Sequence, residues 1–305
     1  MRLRRQLEAG RGRHHRRLGV RRGGAQALPG LPRSEAIPAL YHSAALAQER
    51  IEDRGAVVPY SNPASYDEFM GRWSRRLAPD FVAFAGIRGA RRVLDAGCGT
   101  GMLARALLDV SSDFEVVGID PTATYVEYAQ HFVGSSRARF EIGAADALPF
   151  ADKCFGATLS LLVLQELPDP PKAVREMARV TREGGTIATC KWDFRNGMPM
   201  LALVERAAEA VAPKAVARHR AERPARPDYD RIERVAALWE ECGLAVVSTA
   251  VLAVSLEFSS FEDLWLPFLG GSTGFATFAR DLNDATGGAL ATHLREIVQA
   301  EYGKR

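Results

Sequence analysis

The residues with the clearest chemical potential are three glycines at alternate positions, Gly97, Gly99 and Gly101, which follow a short apolar run from Arg92 to Ala96. Glycine lets a backbone approach a ligand closely and adopt dihedral angles that other residues avoid. In open α/β sheets, ligands bind outside the carboxyl ends of the strands, where this turn is predicted to lie. A glycine-rich turn by itself is as typical of a tight strand-to-helix connection as of a binding site.

Two aspartates follow later strand-like runs. Asp120 comes directly after Glu115 to Ile119, where a carboxylate can accept hydrogen bonds from both hydroxyls of a ribose. Asp146 follows Ala138 to Ile142 and could accept a hydrogen bond from the exocyclic amine of adenine. Each aspartate alone is more often a helix cap or a solvated loop residue. Together with the glycine turn they predict a nucleoside ligand.

The spacing of the glycines distinguishes between nucleoside cofactors. The dinucleotide pattern Gly-x-Gly-x-x-Gly places a pyrophosphate at a helix N-terminus. Here the third glycine, Gly101, comes one residue early, and Asp95 precedes the first glycine by two residues. A carboxylate at that position would repel a pyrophosphate but suits a ligand with an ammonium group. We therefore predict S-adenosylmethionine, with an NAD-binding oxidoreductase as the more distant alternative.

The elements that must position these residues alternate between strand-like and helical patterns. Such alternation predicts an α/β fold with a doubly wound, mostly parallel sheet. The strand-like runs are 92–96, 115–119, 138–142, 157–163 and 186–191, and the helical stretches between them are 102–110, 123–132 and 171–180.

Further helices are predicted on both sides of this pattern. A helical period runs from Tyr66 to Phe84, and Pro79 is expected to divide it into two helices. Beyond Lys191 the pattern predicts helices at 199–212, 229–242 and 288–301, and two adjoining strand-like runs, 244–249 and 250–258, that pair as a hairpin or follow each other around a tight bend.

At these residues the sequence resembles a known family. The stretch from Val93 to Gly101 resembles the first motif of the class I S-adenosylmethionine-dependent methyltransferases. Asp120-Pro121 resembles the ribose-binding end of their second strand, and the stretch from Asp146 to Phe150 resembles their adenine-binding loop. The segment from Pro168 to Thr186 resembles the helix and glycine pair before their fifth strand, although Arg182-Glu183 replaces the usual Lys-Pro.

The resemblance covers about residues 66–192 and is closest to the branch with a type 11 methyltransferase domain and the sequence Phe-Met-Gly-Arg-Trp-Ser, here 69–74, before the first strand. It implies a Rossmann-like sheet of seven strands, the last one antiparallel, with helical N- and C-terminal additions. It also implies that Arg72 pairs with the cofactor carboxylate and that Tyr66, Met70 and Trp73 cover the cofactor. For Trp73, packing of the helix against the sheet is an equally good explanation.

From the motifs and the resemblance together, we expect a site without metal. Gln165 could contact the cofactor or the substrate, or it could cap the turn before Pro168. On the substrate side the candidates are Trp192 and Asp193. Methyl transfer needs a base only when the acceptor arrives protonated, so no catalytic residue is assigned. For a protonated acceptor, Asp193 is the hypothetical base. The cofactor-binding candidates are Tyr66, Met70, Arg72, Trp73, Asp95, Gly97, Cys98, Gly99, Asp120, Pro121, Asp146, Ala147, Leu162 and Gln165.

The charge of the chain is unevenly distributed along its 305 residues. The net charge is +3, yet residues 1–33 hold ten arginines and one glutamate, giving +9, while the other 30 basic and 36 acidic residues give −6. We expect residues 1–62 to be an Arg-rich disordered extension, or in part an upstream stretch translated from a misplaced start. Residues 63–305 would form the methyltransferase domain, with 193–305 contributing substrate-side elements, including an aromatic lid or core.

Two classes of methyl acceptor remain open. A small organic acceptor is favoured by the acidic body of the chain, and a nucleic acid by the basic arm, because clustered arginines neutralise phosphates. The absence of an evident basic face or base-stacking motif in the domain makes nucleic acid the weaker choice.

Four scattered cysteines predict reduced thiols, and the longest apolar stretch, 244–256, is too short to cross a membrane. A cytoplasmic protein is therefore expected.

Overall fold

A five-stranded parallel sheet lies at the centre of the computed structural model, which describes residues 2–3, 62–194, 197–222, 229, 231–271 and 273–303. The strands are β1 (Arg2–Leu3), β2 (Arg92–Ala96), β3 (Glu115–Asp120), β4 (Ala138–Ile142), β5 (Phe155–Leu161), β6 (Thr181–Cys190) and β7 (Leu256–Glu257). The helices are α1 (Pro63–Tyr66), α2 (Arg72–Ala85), α3 (Met102–Val110), α4 (Ala123–Val133), α5 (Pro170–Val180), α6 (Pro199–Val211), α7 (Pro213–Glu222), α8 (Ile232–Glu241), α9 (Phe261–Gly270), α10 (Gly274–Ala285) and α11 (Ala289–Tyr302), with a π-helical turn at Asp67–Gly71 and a 3-10 turn at Leu164–Glu166.

The order of the strands places the glycine turn at the centre of one sheet edge. The order is β4-β3-β2-β5-β6, so the chain winds outward from β2 through β3 to β4 and then returns to build β5 and β6 on the other side. All four pairings are parallel. The carboxyl end of β2 therefore lies where the winding direction reverses, which is the usual ligand position in such sheets. The predicted doubly wound parallel sheet is confirmed.

Helices cover both faces of the sheet, so its central strands β2, β3 and β5 are buried on both sides. Val93 and Leu94 are both 0% exposed, yet they belong to different apolar clusters because successive strand residues point to opposite faces. On the Val93 face the cluster includes Leu77 and Phe81 of α2. On the Leu94 face it includes Met177 of α5. These two layers fix β2 and β3, and with them the residues that follow each strand.

The prediction that Pro79 divides the helix before β2 is wrong. Helix α2 runs unbroken from Arg72 to Ala85 with Pro79 inside it. A proline within a helix costs about 3 kcal/mol. Here Pro79 lies on the exposed face, and the buried Leu77 and Phe81 flank it on the face that packs against the sheet. Burial of two such side chains contributes about 3–6 kcal/mol, which offsets the cost of the proline.

The sheet has five strands in the described residues, not the predicted seven, and no antiparallel last strand joins it. The runs 244–249 and 250–258 form no hairpin, and only β7 is a strand, paired antiparallel with β1. Leu252 and Val254 pack towards the core, whereas Val247 and Val251 are 81% and 78% exposed. Because apolar residues lie on both faces of this stretch, the pattern does not specify a register with β6.

The C-terminal helices form an apolar cluster of their own. Phe258, Trp265 and Phe268 are buried in it, so these aromatic residues are core rather than a lid. The basic stretch from Arg218 begins within α7, where Arg220 pairs with Glu205. Within the described ranges, no helix is long and apolar enough to cross a membrane. Apart from Arg2 and Leu3, the predicted extension 1–62 lies outside the described residues until Asn62.

Candidate cofactor site

The glycine turn after β2 has a conformation that requires its glycines. Gly97, Gly99 and Gly101 have φ values of +79°, +49° and +83°. A Cβ on Gly97 would lie 2.6 and 2.7 Å from the two Cγ atoms of Val163, so that position is glycine for packing as well. A Cβ on Gly99 would find no atom closer than Tyr125 Cδ1 at 3.8 Å. The turn is therefore packed against the protein at Gly97 and open at Gly99, where a ligand can approach the backbone.

Asp120 holds the end of β3 to this turn. Its Oδ2 accepts a hydrogen bond from the backbone N–H of Gly99 at 3.0 Å, and its Oδ1 accepts one from Thr122 N–H at 3.0 Å. Burial raises the pKa of Asp120, and these hydrogen bonds oppose that rise. A carboxylate oxygen can accept a second hydrogen bond, so Asp120 keeps the capacity to bind a pair of hydroxyl groups.

Asp95 is a carboxyl group that is almost completely buried, at 1% exposure. Its Oδ2 accepts a hydrogen bond from Ala104 N–H of α3 at 3.1 Å, whereas no group in the described part of the chain donates to its buried Oδ1. Burial raises the pKa of Asp95 to about 8, the Ala104 hydrogen bond opposes the rise, and the nearby Asp120 adds to it. A bound cation would satisfy the remaining acceptor and favour the ionised form.

The raised pKa of Asp95 predicts a stability that falls with increasing pH. Above its ordinary pKa of about 4 the carboxyl group ionises in the unfolded chain, but in the ligand-free folded protein it stays protonated until about pH 8. The folded state therefore binds more protons in this window, and its stability decreases as the pH rises. We expect the stability of wild-type protein relative to Asp95→Asn, measured by urea unfolding, to fall by up to about 1.4 kcal/mol per pH unit between pH 5 and 8. Parallel pH curves for the two proteins would contradict this.

The loop after β4 places Asp146 near α5. Lys172 Nζ lies 3.5 Å from Asp146 Oδ2, and the Asp146 side chain is 19% exposed. Ala147 is exposed beside it, and its N–H donates to Ala144 O at 3.1 Å, which closes a turn. Both predicted adenine-side residues are thus accessible at the strand end next to Asp120.

Leu162, directly after β5, has a strained backbone. Its φ is +65°, a region that residues with a side chain rarely adopt, and it is buried. Its N–H donates to Cys190 O at 2.7 Å, and its carbonyl accepts a hydrogen bond from Gln165 Nε2 at 2.7 Å. Gln165 therefore caps this turn, as its alternative interpretation predicted. Strain of this kind costs about 1–3 kcal/mol and concentrates at functional sites.

Tyr66, at the end of α1, lies against Tyr125 of α4 in an edge-to-face arrangement with ring centroids 6.0 Å apart. Burial raises the pKa of Tyr66 to about 12, a hydrogen bond with Ser74 opposes the rise, and the negative charges of Glu166, Asp67 and Asp120 add to it. Tyr66 is therefore a neutral phenol, and its ring packs on Tyr125, the residue nearest to the open side of Gly99.

The other predicted residues of the N-terminal helix point elsewhere. Met70 and Trp73 are buried in the C-terminal helical cluster, and Trp73 packs edge-to-face on Phe258 at 5.4 Å. Arg72 Nη1 donates to Asp263 Oδ1 at 2.6 Å, and its Nη2 donates to the Asp263 backbone carbonyl at 3.1 Å. The guanidinium is thus committed to α9, and its contacts give no support to the predicted pairing with a cofactor carboxylate.

The remaining candidates occupy varied positions. Cys98 is buried within the glycine turn, where burial raises its thiol pKa, and Pro121 is exposed after β3. Trp192 packs against both the sheet cluster and the C-terminal cluster, and Asp193 is exposed, with its backbone carbonyl accepting from Gly197 N–H at 2.9 Å. Across the described residues, no group of three His, Cys, Asp or Glu side chains is placed to hold a metal ion.

Sequence reasoning missed Tyr125 and Val163. Tyr125 lies in the first turn of α4, and helical side chains lean towards the N-terminus, so its ring is carried back towards the end of β3. The position of Tyr125 in the first turn after β3 could therefore have indicated that it lies near the site. Val163 is a contact of Gly97 from a distant part of the chain, which only the β2–β5 pairing brings close.

Gly71 is the residue that lets the π-helical turn close around Asp67. Asp67 Oδ2 accepts hydrogen bonds from Arg75 Nη2 at 3.0 Å and Tyr128 Oη at 3.2 Å, which ties the turn to α4. A Cβ on Gly71 would overlap the Asp67 carboxylate, with Asp67 Cγ at 3.1 Å.

We therefore expect Gly71→Ala to displace the Asp67 carboxylate and to reduce the free energy of unfolding by about 1 kcal/mol, because the lost hydrogen bonds outweigh the better helix propensity of alanine. Gly270→Ala in α9 is the matched control, since a Cβ there would meet nothing within 4 Å, and it should be neutral or stabilising. Urea unfolding of both variants is the measurement. A Gly71→Ala protein as stable as Gly270→Ala would show that Asp67 does not restrict this position.

Comparison with known proteins gives a consistent picture. The family described as "Methyltransferase domain" matches residues 94–189. A demethylmenaquinone methyltransferase of Roseiflexus castenholzii is 38% identical over 120 residues, covering 39% of this chain and 50% of that protein. A malonyl-[acyl-carrier protein] O-methyltransferase of Pectobacterium atrosepticum is 32% identical over 123 residues, covering 40% and 47%. The chain spans about half the length of the curated relatives it matches.

A solved structure from Anabaena variabilis shares the fold. It has a TM-score of 0.50 at 17% identity and covers 76% of this chain and 92% of its own. The matched family spans β2 to β6, which includes the glycine turn, Asp120 and Asp146. The stretch from residue 94 to 189 is therefore similar to the methyltransferase domain family, and the sheet order and the strand-end residues agree with that similarity.

Proposed function

We propose that this chain binds S-adenosylmethionine and transfers its methyl group to a small organic acceptor. The observation that carries the proposal is the hydrogen bond from Gly99 N–H to Asp120, which joins the open glycine turn of β2 to the acidic end of β3. This contact brings the residue type suited to close ligand approach beside a group suited to ribose hydroxyls.

The residues present fit this cofactor on chemical grounds. The buried Asp95 has an acceptor oxygen to which no described residue donates, which suits a ligand that carries an ammonium group. Asp120 would accept from ribose hydroxyls, and Asp146 from the exocyclic amine of adenine. Tyr125, at the open side of Gly99, and Tyr66, which packs on it, would offer an aromatic surface to the ligand. Bound S-adenosylmethionine would supply an electrophilic methyl group.

The contribution of the chain to such a reaction is mainly positional. Displacement at a methyl carbon is accelerated when the nucleophile is held in line and close, so residues that orient both partners carry the catalysis. The strained Leu162 and the Gln165 that holds its carbonyl keep the end of β5 rigid beside the turn. Trp192 packs against both the cluster on the Val93 face of the sheet and the C-terminal cluster, and it is our candidate for the acceptor side. Asp193 is the candidate base for an acceptor that arrives protonated.

A small organic acceptor is supported by two observations. The residues outside the N-terminal 33 carry a net charge of −6, which disfavours binding to a nucleic acid. Two of the relatives are, by their names, methyltransferases of demethylmenaquinone and of a malonyl group on an acyl carrier protein. The first name describes a small organic acceptor, and the second an organic group carried on a protein.

The experiment that tests this proposal is transfer of a labelled methyl group from S-adenosylmethionine to a panel of acceptors. The panel contains phenols, quinols, carboxylic acids, amines and RNA. We expect label in one of the small-molecule classes and none in RNA. Transfer to RNA alone, lost when residues 1–33 are removed, would overturn the choice of acceptor class.

A further inference from the structure

Two side chains of α5 hold the backbone of the loop that carries Asp146. Leu148 N–H donates to Glu176 Oε2 at 2.8 Å, and the Leu148 carbonyl accepts from Arg179 Nη2 at 2.9 Å. The Phe150 carbonyl accepts from Arg179 Nη1 at 2.7 Å. Three polar groups of the loop backbone are thus bound by only two side chains.

The two side chains also fix each other. Arg179 Nε donates to Glu176 Oε1 at 2.7 Å, and Arg179 Nη2 donates to Glu176 Oε2 at 2.9 Å, which is a two-point pairing of guanidinium and carboxylate. Arg179 Nη1 also donates to Asp152 Oδ1 at 2.7 Å. Hydrogen bonding from Arg179 lowers the pKa of Glu176 and leaves it ionised at neutral pH. The planar guanidinium can serve all these acceptors at once, which an ammonium group cannot do.

The side chain of Asp146 has only a weak contact of its own. Its own described ion pair, with Lys172, is long at 3.5 Å and involves a lysine that is 53% exposed. Exposed pairs of this kind contribute little. Leu148, two residues further on, is anchored twice, by its buried side chain and by both backbone hydrogen bonds to α5. On its amino-terminal side Asp146 follows the buried Ala145 and lies in the Ala144–Ala147 turn, and on its carboxyl-terminal side its position depends on how the backbone at Leu148 is held.

We propose that Glu176 and Arg179 are positioning residues for the nucleobase, which set the loop so that Asp146 distinguishes a 6-amino purine from a 6-oxo purine. This inference rests on the proposed function. Neither residue needs to touch the ligand. Their effect is on which base the loop accepts, because a carboxylate can accept from an amine but faces an acceptor when the base carries a 6-oxo group.

The test measures binding of S-adenosylhomocysteine and of S-inosylhomocysteine, its 6-oxo counterpart, to the full chain by calorimetry. The variants are Arg179→Lys, which keeps the charge but not the two-point geometry, and Glu176→Gln, which keeps an acceptor oxygen. Arg105→Lys is the matched control, because Arg105 is an ion-paired arginine on α3 whose partner, Asp109, is exposed and far from the loop in sequence.

We expect wild-type protein to prefer the adenosine ligand and Arg179→Lys to lose about tenfold of that preference, with a smaller loss in Glu176→Gln and none in Arg105→Lys. A general loss of stability would weaken both ligands equally and leave their ratio unchanged. An unchanged ratio in both variants, or a wild-type protein that binds the two ligands equally, overturns the inference while leaving the proposed cofactor intact. A wild-type protein that binds neither ligand contradicts the proposed function itself.

Discussion

Gly97→Ala is expected to destabilise the protein by about 3 kcal/mol and to lower its affinity for S-adenosylhomocysteine by at least about 100-fold. A residue with a side chain at a φ of +79° is strained by about 1–2 kcal/mol. The added Cβ would also lie 2.6 Å from Val163, and overpacking of this kind costs about 1–3 kcal/mol. Relief of the contact must move the turn, which displaces the backbone that approaches the ligand.

Gly184→Ala is a matched control for this effect. Gly184 has a φ of +69°, similar to that of Gly97, but a Cβ there would meet nothing within 4 Å. The Gly184→Ala protein should therefore lose only about 1 kcal/mol of stability, which is the conformational cost of alanine at this φ, and it should keep its ligand affinity. The double variant Gly97→Ala/Val163→Ala should recover part of the stability lost in Gly97→Ala. Equal stability of Gly97→Ala and Gly184→Ala in urea would show that the contact with Val163 is wrong.

Asp120→Ala is expected to reduce affinity for S-adenosylhomocysteine by roughly 100-fold, or about 3 kcal/mol. The change removes the proposed acceptor for ribose hydroxyls, and hydrogen bonds to a charged group contribute about 1.5–3 kcal/mol each. It also leaves the N–H groups of Gly99 and Thr122 without their described acceptor, so the turn and the start of α4 are no longer joined.

Two further variants separate these causes. Asp120→Asn keeps one acceptor oxygen and should lose about tenfold in affinity. Asp109→Ala removes a carboxylate from α3 that is 61% exposed and paired with Arg105, and it should change affinity by less than about twofold. Calorimetric titration with S-adenosylhomocysteine gives all three values. Wild-type affinity in Asp120→Ala would mean that the nucleoside does not bind at the end of β3.

The central sheet was predictable because its local patterns and its global fold agree. β2 and β4 begin and end at the predicted residues, and β3 and α4 are each one residue longer than predicted. The central strands β2, β3 and β5 are largely apolar because helices bury both faces of the sheet, and the helices between the strands keep a clear period. The strand-end residues Asp95 and Asp120 follow directly from those limits.

The N-terminal helix was less predictable because its side chains serve a distant part of the chain. Arg72 was expected to meet the cofactor, yet Asp263, which is 191 residues further along the sequence, takes its guanidinium. Trp73 packs on Phe258 for the same reason. An amphipathic period shows that one face is buried but not which surface buries it. Here the C-terminal helices do so.

The region beyond β6 was predicted least well. Stretch 244–258 has strand-like composition but forms no ladder with the sheet, since apolar residues on both of its faces leave the register open. Helices α7, α9 and α10 were missed, α9 with a proline at position 267. Their stability comes from packing in a shared cluster rather than from local pattern.

The most direct test of the central claim, that the strand ends form a site for S-adenosylmethionine, is calorimetric titration of the full chain with S-adenosylhomocysteine and, separately, with NAD. We predict one S-adenosylhomocysteine site per chain with a dissociation constant of about 1–100 μM, and no measurable binding of NAD. Binding of NAD without binding of S-adenosylhomocysteine would contradict the claim.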